Sequence, residues 1–161
     1  MSFAKIDRMD KGILGCLQSD SRLTFTEIGE RVGLSPSACH KRVKAMEQSG
    51  LIAGYVAIVA EEQAQLKTSV FVQITLNSQK EEALAVFETA IRGHEEIMEC
   101  FLMAGPSDYL LRVLCRDGED YERIHNTILV RLPGVERVIS NFAIRKVLRR
   151  TAVPLSRTEE A

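Results

Sequence analysis

The chain has 161 residues, 45% of them hydrophobic and 27% charged, and a formal net charge of −1. This is the make-up of a folded globular protein of one large or two small domains; it excludes a disordered polyelectrolyte, and no apolar run is long enough to cross a bilayer. With no secretory h-region at the N-terminus, a cytoplasmic protein is expected. The charge is unevenly spread: residues 1 to 60 carry 8 Lys+Arg against 6 Asp+Glu, and residues 61 to 161 carry 13 against 16. Cys16, Cys39, Cys100 and Cys115 stand alone in apolar surroundings, and His40, His94 and His125 are scattered, so neither a metal site nor a Cys/His catalytic pair is indicated. Buried free thiols and no cofactor are expected.

The first helix should start at the N-cap Asp7, carry Ile6, Met9, Ile13, Leu14 and Leu17 at helical spacing, and end near Gln18. The second opens on Thr24-Phe25-Thr26-Glu27, a capping box, buries Ile28 and Val32, and stops at Gly33. The third starts two residues later with Ser35 as cap and Pro36 at the first helical position, and closes on Gly50. Turning 100° per residue puts Cys39, Val43 and Met46 inward and Ser37, Lys41, Lys44 and Gln48 outward, with His40 on the flank. No acid occurs between Glu30 and Glu47, so the outward face suits a polyanion. Helix, short turn with glycine, helix is the helix-turn-helix arrangement, whose second member enters the major groove. A plain solvated helix face is the alternative. Leu51 to Val59 is β-prone and reads as a short wing or linking strand, with the domain boundary just after it, giving domains at 1–60 and 61–161.

The order IDRMDKGIL followed by LTFTEIGERVGLSPSACHKRVKAMEQSGLIAGY resembles the winged helix-turn-helix of the Lrp/AsnC family of transcription regulators, most specifically in GLSPSACHKRVKAMEQSGLI. The resemblance implies that the third helix reads double-stranded operator DNA. Ser35, Ser37, His40, Lys41 and Lys44 are then candidate base or phosphate contacts, and Arg42 is expected to reach back to the phosphates or the wing.

In the second half, Thr68–Leu76 alternates as a strand; Lys80 to Arg92 carries Ala83, Leu84, Phe87, Ala90 and Ile91 on one helical stripe. Ile97 to Ala104 and Asp108 to Cys115 are strands joined by Gly105-Pro106-Ser107. Asp117 caps a helix with Tyr121, Ile124, Ile128 and Leu132 in step, and Val135 to Val147 is the last strand. The order βαββαβ predicts a ferredoxin-like α+β domain with both helices on one sheet face. Apolar residues fall on both strand parities, including Phe71, Ile97, Phe101 and Leu110, so a second copy is expected to cover the outer face. One recognition helix has too few cations for strong binding, and two copies approach the necessary number.

The turn Gly105, Pro106, Ser107, Asp108, Tyr109 is a candidate small-molecule site: its N–H groups would hold a carboxylate and Asp108 an ammonium, matching a free α-amino acid, although Pro106 removes one N–H. A good hairpin turn is the alternative reading. This half also resembles the ligand-sensing domain of the Lrp/AsnC family, which implies an amino-acid effector bound beside this loop at contacts between dimers, adds Ser140 from the last strand, and implies dimers assembling into tetramers or octamers. A tetrapyrrole decarboxylase of similar build and an effector-binding module without DNA binding are the competing functions, and no catalytic constellation supports the enzyme. Arg145, Lys146, Arg149 and Arg150 read as solubilising the last strand, and the tail beyond Pro154 as disordered.

Overall fold

The computed structural model describes residues 6–155, which form two compact units: residues up to 57 together with those from 148 onward, and residues 58–147. The sequence reading placed everything after residue 60 in the second domain; the chain instead returns to the first unit after Val147.

In the first unit, α1 (Arg8–Ser19), α2 (Phe25–Val32) and α3 (Pro36–Gln48) form a helical bundle. Each start is set by the side chain that the local sequence supplies. Asp7 accepts from the Asp10 N–H at 2.8 Å while Asp10 accepts from Asp7 N–H, and Thr24 and Glu27 make the same reciprocal box on α2. Ser35 caps α3 through the Ala38 N–H. Ile13, Leu14, Ile28, Cys39, Val43 and Met46 close the core, with Leu51 and Ile52 packed against its edge. After Ile52, residues 53–60, expected as a short wing or linking strand, pair with no strand among the described residues, and Tyr55, Val56, Ile58 and Val59 are exposed. The Tyr55 hydroxyl donates to Glu47 at the end of α3.

The second unit contains β1 (Thr68–Leu76), α4 (Glu81–Ile91), β2 (Ile97–Leu102), β3 (Tyr109–Cys115), α5 (Gly118–Thr127), a 3-10 turn (Leu129–Arg131) and β4 (Val135–Phe142). The strands pair antiparallel in the order β2-β3-β1-β4, the ferredoxin-like topology. Val70, Val72 and Ile74 oppose Val113, Leu111 and Tyr109, and these residues form one apolar layer with Phe87 and Ile91 of α4 and Tyr121 and Ile124 of α5. Phe87 is fully buried, a contribution of about 2–3 kcal/mol.

Three local departures have clear causes. A bulge at Met98 inserts one residue between the Ile97–Val113 and Glu99–Arg112 pairs, so Ile97 and Cys100 both pack on the helix side where strict alternation would separate them. The helix after Asp117 ends at Thr127, because the tighter turn that follows repeats every three residues and so buries Leu129 and Leu132 together. The last strand ends at Phe142, after one further bond from Ala143 N–H to Ser69, and leaves Ile144 and Val147 exposed.

The outer sheet face is mixed rather than broadly apolar. Phe71, Phe101 and Ile139 are exposed on it, but Gln73, Glu99 and Asn141 lie between them, and Arg112 is ion-paired to Glu99 at 3.0 Å and to Glu61 at 3.7 Å. At one end of the helix layer, Asp120 accepts from the side chains of Arg116 and Arg123 and from the Arg116 N–H. The Arg116 guanidinium is the main cause of its lowered pKa, about 2 against an ordinary 3.8. A carboxylate held below its unfolded value stabilises the fold above the unfolded pKa and loses that stabilisation as pH falls through the folded one. The melting temperature is therefore expected to fall between roughly pH 4 and pH 2, and an Asp120→Asn variant, followed by circular dichroism, should show a smaller drop over that range.

Candidate nucleic-acid interface

The third helix has two chemically distinct sides. Cys39, Val43 and Met46 are buried, whereas Ser37, His40, Lys41, Lys44 and Gln48 are exposed. The turn that presents it depends on two glycines. Gly33 adopts φ +75°, and Gly29 accepts from the N–H groups of Gly33 and Leu34. A Cβ on Gly29 would lie 2.4 Å from the Leu34 carbonyl oxygen, so only glycine lets the chain leave α2 so sharply. Sequence reasoning passed over Gly29; a glycine inside a capped helical pattern, four residues before the stop glycine, was the available signal.

The six predicted contacts lie in different surroundings. Lys41 and Lys44 stand outward, and Ser37 is exposed beside them with its hydroxyl 3.1 Å from that of Ser35. The Ser35 hydroxyl serves the cap. His40 is exposed but its ring packs edge-on against Phe25, the first residue of α2, with centroids 5.1 Å apart. Arg42 departs from its expected role. One terminal nitrogen donates to Asp7 at 2.7 Å and to Asp10 at 2.8 Å, the two members of the α1 capping box. The guanidinium thus ties α3 to the start of α1 and helps the Asp10 N–H hold the Asp7 carboxyl below the usual range. It reaches neither outward nor toward a wing.

The second predicted group is likewise divided. Gly105 and Pro106 are exposed at the tip of the β2–β3 connection and Ser107 is partly covered. Met103 N–H to the Asp108 carbonyl closes this loop at 2.8 Å. Asp108 turns inward: its carboxylate accepts from the Leu76 N–H at 2.7 Å and from the Gln79 amide at 2.8 Å, which pins the loop to the end of β1. Tyr109 is buried on the helix side, tilted over Phe87 at 4.6 Å, and donates to Glu88 at 2.9 Å. Ser140 opposes Val72 on β4, also facing the helices, and shares a hydrogen bond with Tyr121. Ser140 and the loop are therefore separated by β1, and the fold does not gather all six into one pocket within the unit.

The four cysteines are free thiols, and burial pushes Cys100 and Cys115 up to about 11. Among the described residues no three His, Cys, Asp or Glu side chains gather as a metal site would require, and no helix is long and apolar enough to cross a membrane.

Comparison with known proteins matches two successive segments of the chain. Residues 6–53 match the winged helix-turn-helix DNA-binding family, and residues 69–153 match the Lrp/AsnC ligand binding domain. The leucine-responsive regulatory protein of Escherichia coli is 42% identical over 130 residues, which cover 81% of this chain and 79% of that protein. The Bkd operon transcriptional regulator of Pseudomonas aeruginosa is 38% identical over 94% of this chain and 99% of its own. Among solved structures, a transcriptional regulator of Neisseria meningitidis in complex with L-methionine superposes with a TM-score of 0.87 at 32% identity, covering 92% of this chain and 96% of that one. Escherichia coli AsnC gives 0.81 at 26% identity over 91% and 97%. These relatives are transcriptional regulators and not enzymes. With a DNA-binding unit that exposes a basic helix and a sheet unit of the ligand-binding type, this chain belongs to the Lrp/AsnC family of DNA-binding transcription regulators.

Proposed function

We propose that the protein regulates transcription as a two-fold dimer, and higher assemblies of it, that places α3 of each copy in successive major grooves of one operator, with its DNA affinity tuned by a free amino acid. The observation that carries this reading is the outward row Ser37, Lys41, Lys44 with His40 beside it, on a helix whose other side is fully occupied by core packing. Ser37, His40, Lys41 and Lys44 are the groups we assign to bases and phosphates. Ser35 and Arg42 are assigned to holding the helix. Phe71, Phe101 and Ile139 on the outer sheet face supply the apolar part of the proposed contact between copies.

For the effector, the supporting observation is the L-methionine bound by the Neisseria regulator together with the ligand-binding domain match. In this chain the exposed backbone of Gly105 to Ser107 is the proposed point of contact, with Asp108 and Tyr109 shaping the loop from inside and Ser140 acting through Tyr121. Pro106 leaves the loop one donor short, so the carboxylate would rest on the remaining N–H groups.

The test has two parts. Sedimentation at micromolar concentration should find a dimer or a multiple of it, and a lone subunit would defeat the two-fold reading. Thermal melting with each of the twenty amino acids in turn should show at least one that raises the transition: a native-state ligand at a hundredfold excess over its Kd stabilises by about 2.7 kcal/mol, on the order of several degrees. A panel without effect would defeat the effector reading and leave the DNA reading standing.

A further inference from the structure

Of the outward groups on α3, one is held in a fixed orientation. Lys41 and Lys44 are exposed ammonium groups on flexible stems, which attract phosphate as point charges and carry little directional information. The Ser37 hydroxyl lies 3.1 Å from that of Ser35, which caps the helix. Gln48, on the same side, is the last residue of α3, whereas a recognition helix meets base edges with its N-terminal residues. His40 differs from all of these. Its ring packs edge-on against Phe25, with centroids 5.1 Å apart and planes at 67°. Phe25 is a firm support: it is the first residue of α2, follows the cap Thr24, and is half-buried against the core of the unit. His40 itself is exposed, and neither of its ring nitrogens has a hydrogen-bond partner among the described residues.

We infer that His40 is the base-reading residue of this unit, donating to the major-groove edge of a guanine, with Phe25 as the positioning residue that holds its ring. The inference rests on the proposal that α3 binds DNA and sorts the contacts within it, the lysines to phosphate and the imidazole to a base. At 3.6 residues per turn His40 lies about 40° from Lys44 and about 60° from Ser37, so the ring shares the face that the lysines bring to the duplex. A neutral imidazole has one N–H to donate, and an imidazolium has two. Guanine fits such a donor best because its N7 and O6 both accept, whereas adenine sets a donor beside its N7 and cytosine offers a donor alone. A side chain already held in one orientation loses less freedom on binding and adapts to fewer alternatives, which is what discrimination between bases requires.

The test is selection of binding sites from a randomised duplex library with the full chain, followed by anisotropy titration of the selected duplex and its single-base variants. The wild type is expected to select a two-fold site with a guanine at one position of each half-site, and changing one such guanine should lower affinity by about 3- to 10-fold. His40→Ala should make that position indifferent, with the other positions and the slope of log K against log salt unchanged. Phe25→Leu keeps an apolar side chain on the core and the histidine in place; it should weaken the preference at the same position and at no other. His40→Gln, whose amide carries a donor beside an acceptor, should move the preference there toward adenine, a change that lost packing would not produce. A His40→Ala or His40→Gln protein that still selects the same guanine overturns the inference and leaves the proposed function standing. A Phe25→Leu protein with the full preference overturns the positioning role. A wild type that binds every duplex equally overturns the base-reading role, and one that binds no duplex overturns the proposed function with it. Melting curves report directly whether each variant is folded.

Discussion

Replacing Lys41 and Lys44 together by alanine is expected to lower affinity for operator DNA by at least about two orders of magnitude, with a salt slope flattened by up to about 3.6 for a dimer. Stability should stay within about 0.5 kcal/mol, because both side chains are exposed and alanine is the better helix former. Arg42→Gln is the informative contrast. It leaves Asp7 and Asp10 without their shared cation, so it should lower the melting temperature and weaken binding to all sequences alike, with the salt slope unchanged. If the lysine pair proves dispensable in anisotropy titrations while Arg42→Gln removes a phosphate contact from the slope, the assignment of inner and outer roles on α3 is reversed.

The second large effect belongs to Asp108. Its carboxylate is buried and accepts from the Leu76 N–H and the Gln79 amide, so Asp108→Ala leaves the buried Leu76 N–H without an acceptor, while the exposed Gln79 side chain can turn to water. An unsatisfied buried donor costs about 1–3 kcal/mol, and a loss of about that size is expected by urea unfolding. Asp108→Asn keeps one carbonyl oxygen and should fall between. A loss below about 1 kcal/mol for the alanine variant would show that the carboxylate is not a structural pin and would return it to the ligand.

Much of the fold was legible because it is written in local chemistry. Asp7, Thr24 and Ser35 each cap a helix through a bond to a residue three positions on, and the inward set Cys39, Val43, Met46 follows from helical geometry alone. The alternation of Val70, Val72 and Ile74 likewise identified the core side of β1. What stayed hidden depends on partners distant in sequence. Arg42 looks like any cation of a basic helix until α1 folds beside it with Asp7 and Asp10 some thirty residues upstream. The Asp108 carboxylate could be imagined holding an ammonium until β1 delivers the Leu76 N–H to it. The bulge at Met98 is invisible to a period-two reading, which cannot count an inserted residue. Residues 53–60 have strand-forming composition but no ladder partner among the described residues, and composition alone makes no ladder. The candidate DNA face was therefore readable, being one helix long. The candidate ligand region was not, since its members lie on different strands and mostly point inward.

The contact between position 29 and the Leu34 carbonyl has a practical corollary. Because that turn admits no side chain and three core residues anchor α3 from behind, the helix is mounted like a tool bit in a rigid chuck. Residues 37, 41 and 44 can be exchanged without reshaping the mount, each at a cost of about 0.5 kcal/mol or less, whereas a change at 40 also gives up the ring contact with Phe25. If the proposed contacts hold, new operator preferences are obtainable by rewriting exposed positions on α3, whereas any change at 29 would tilt the whole helix.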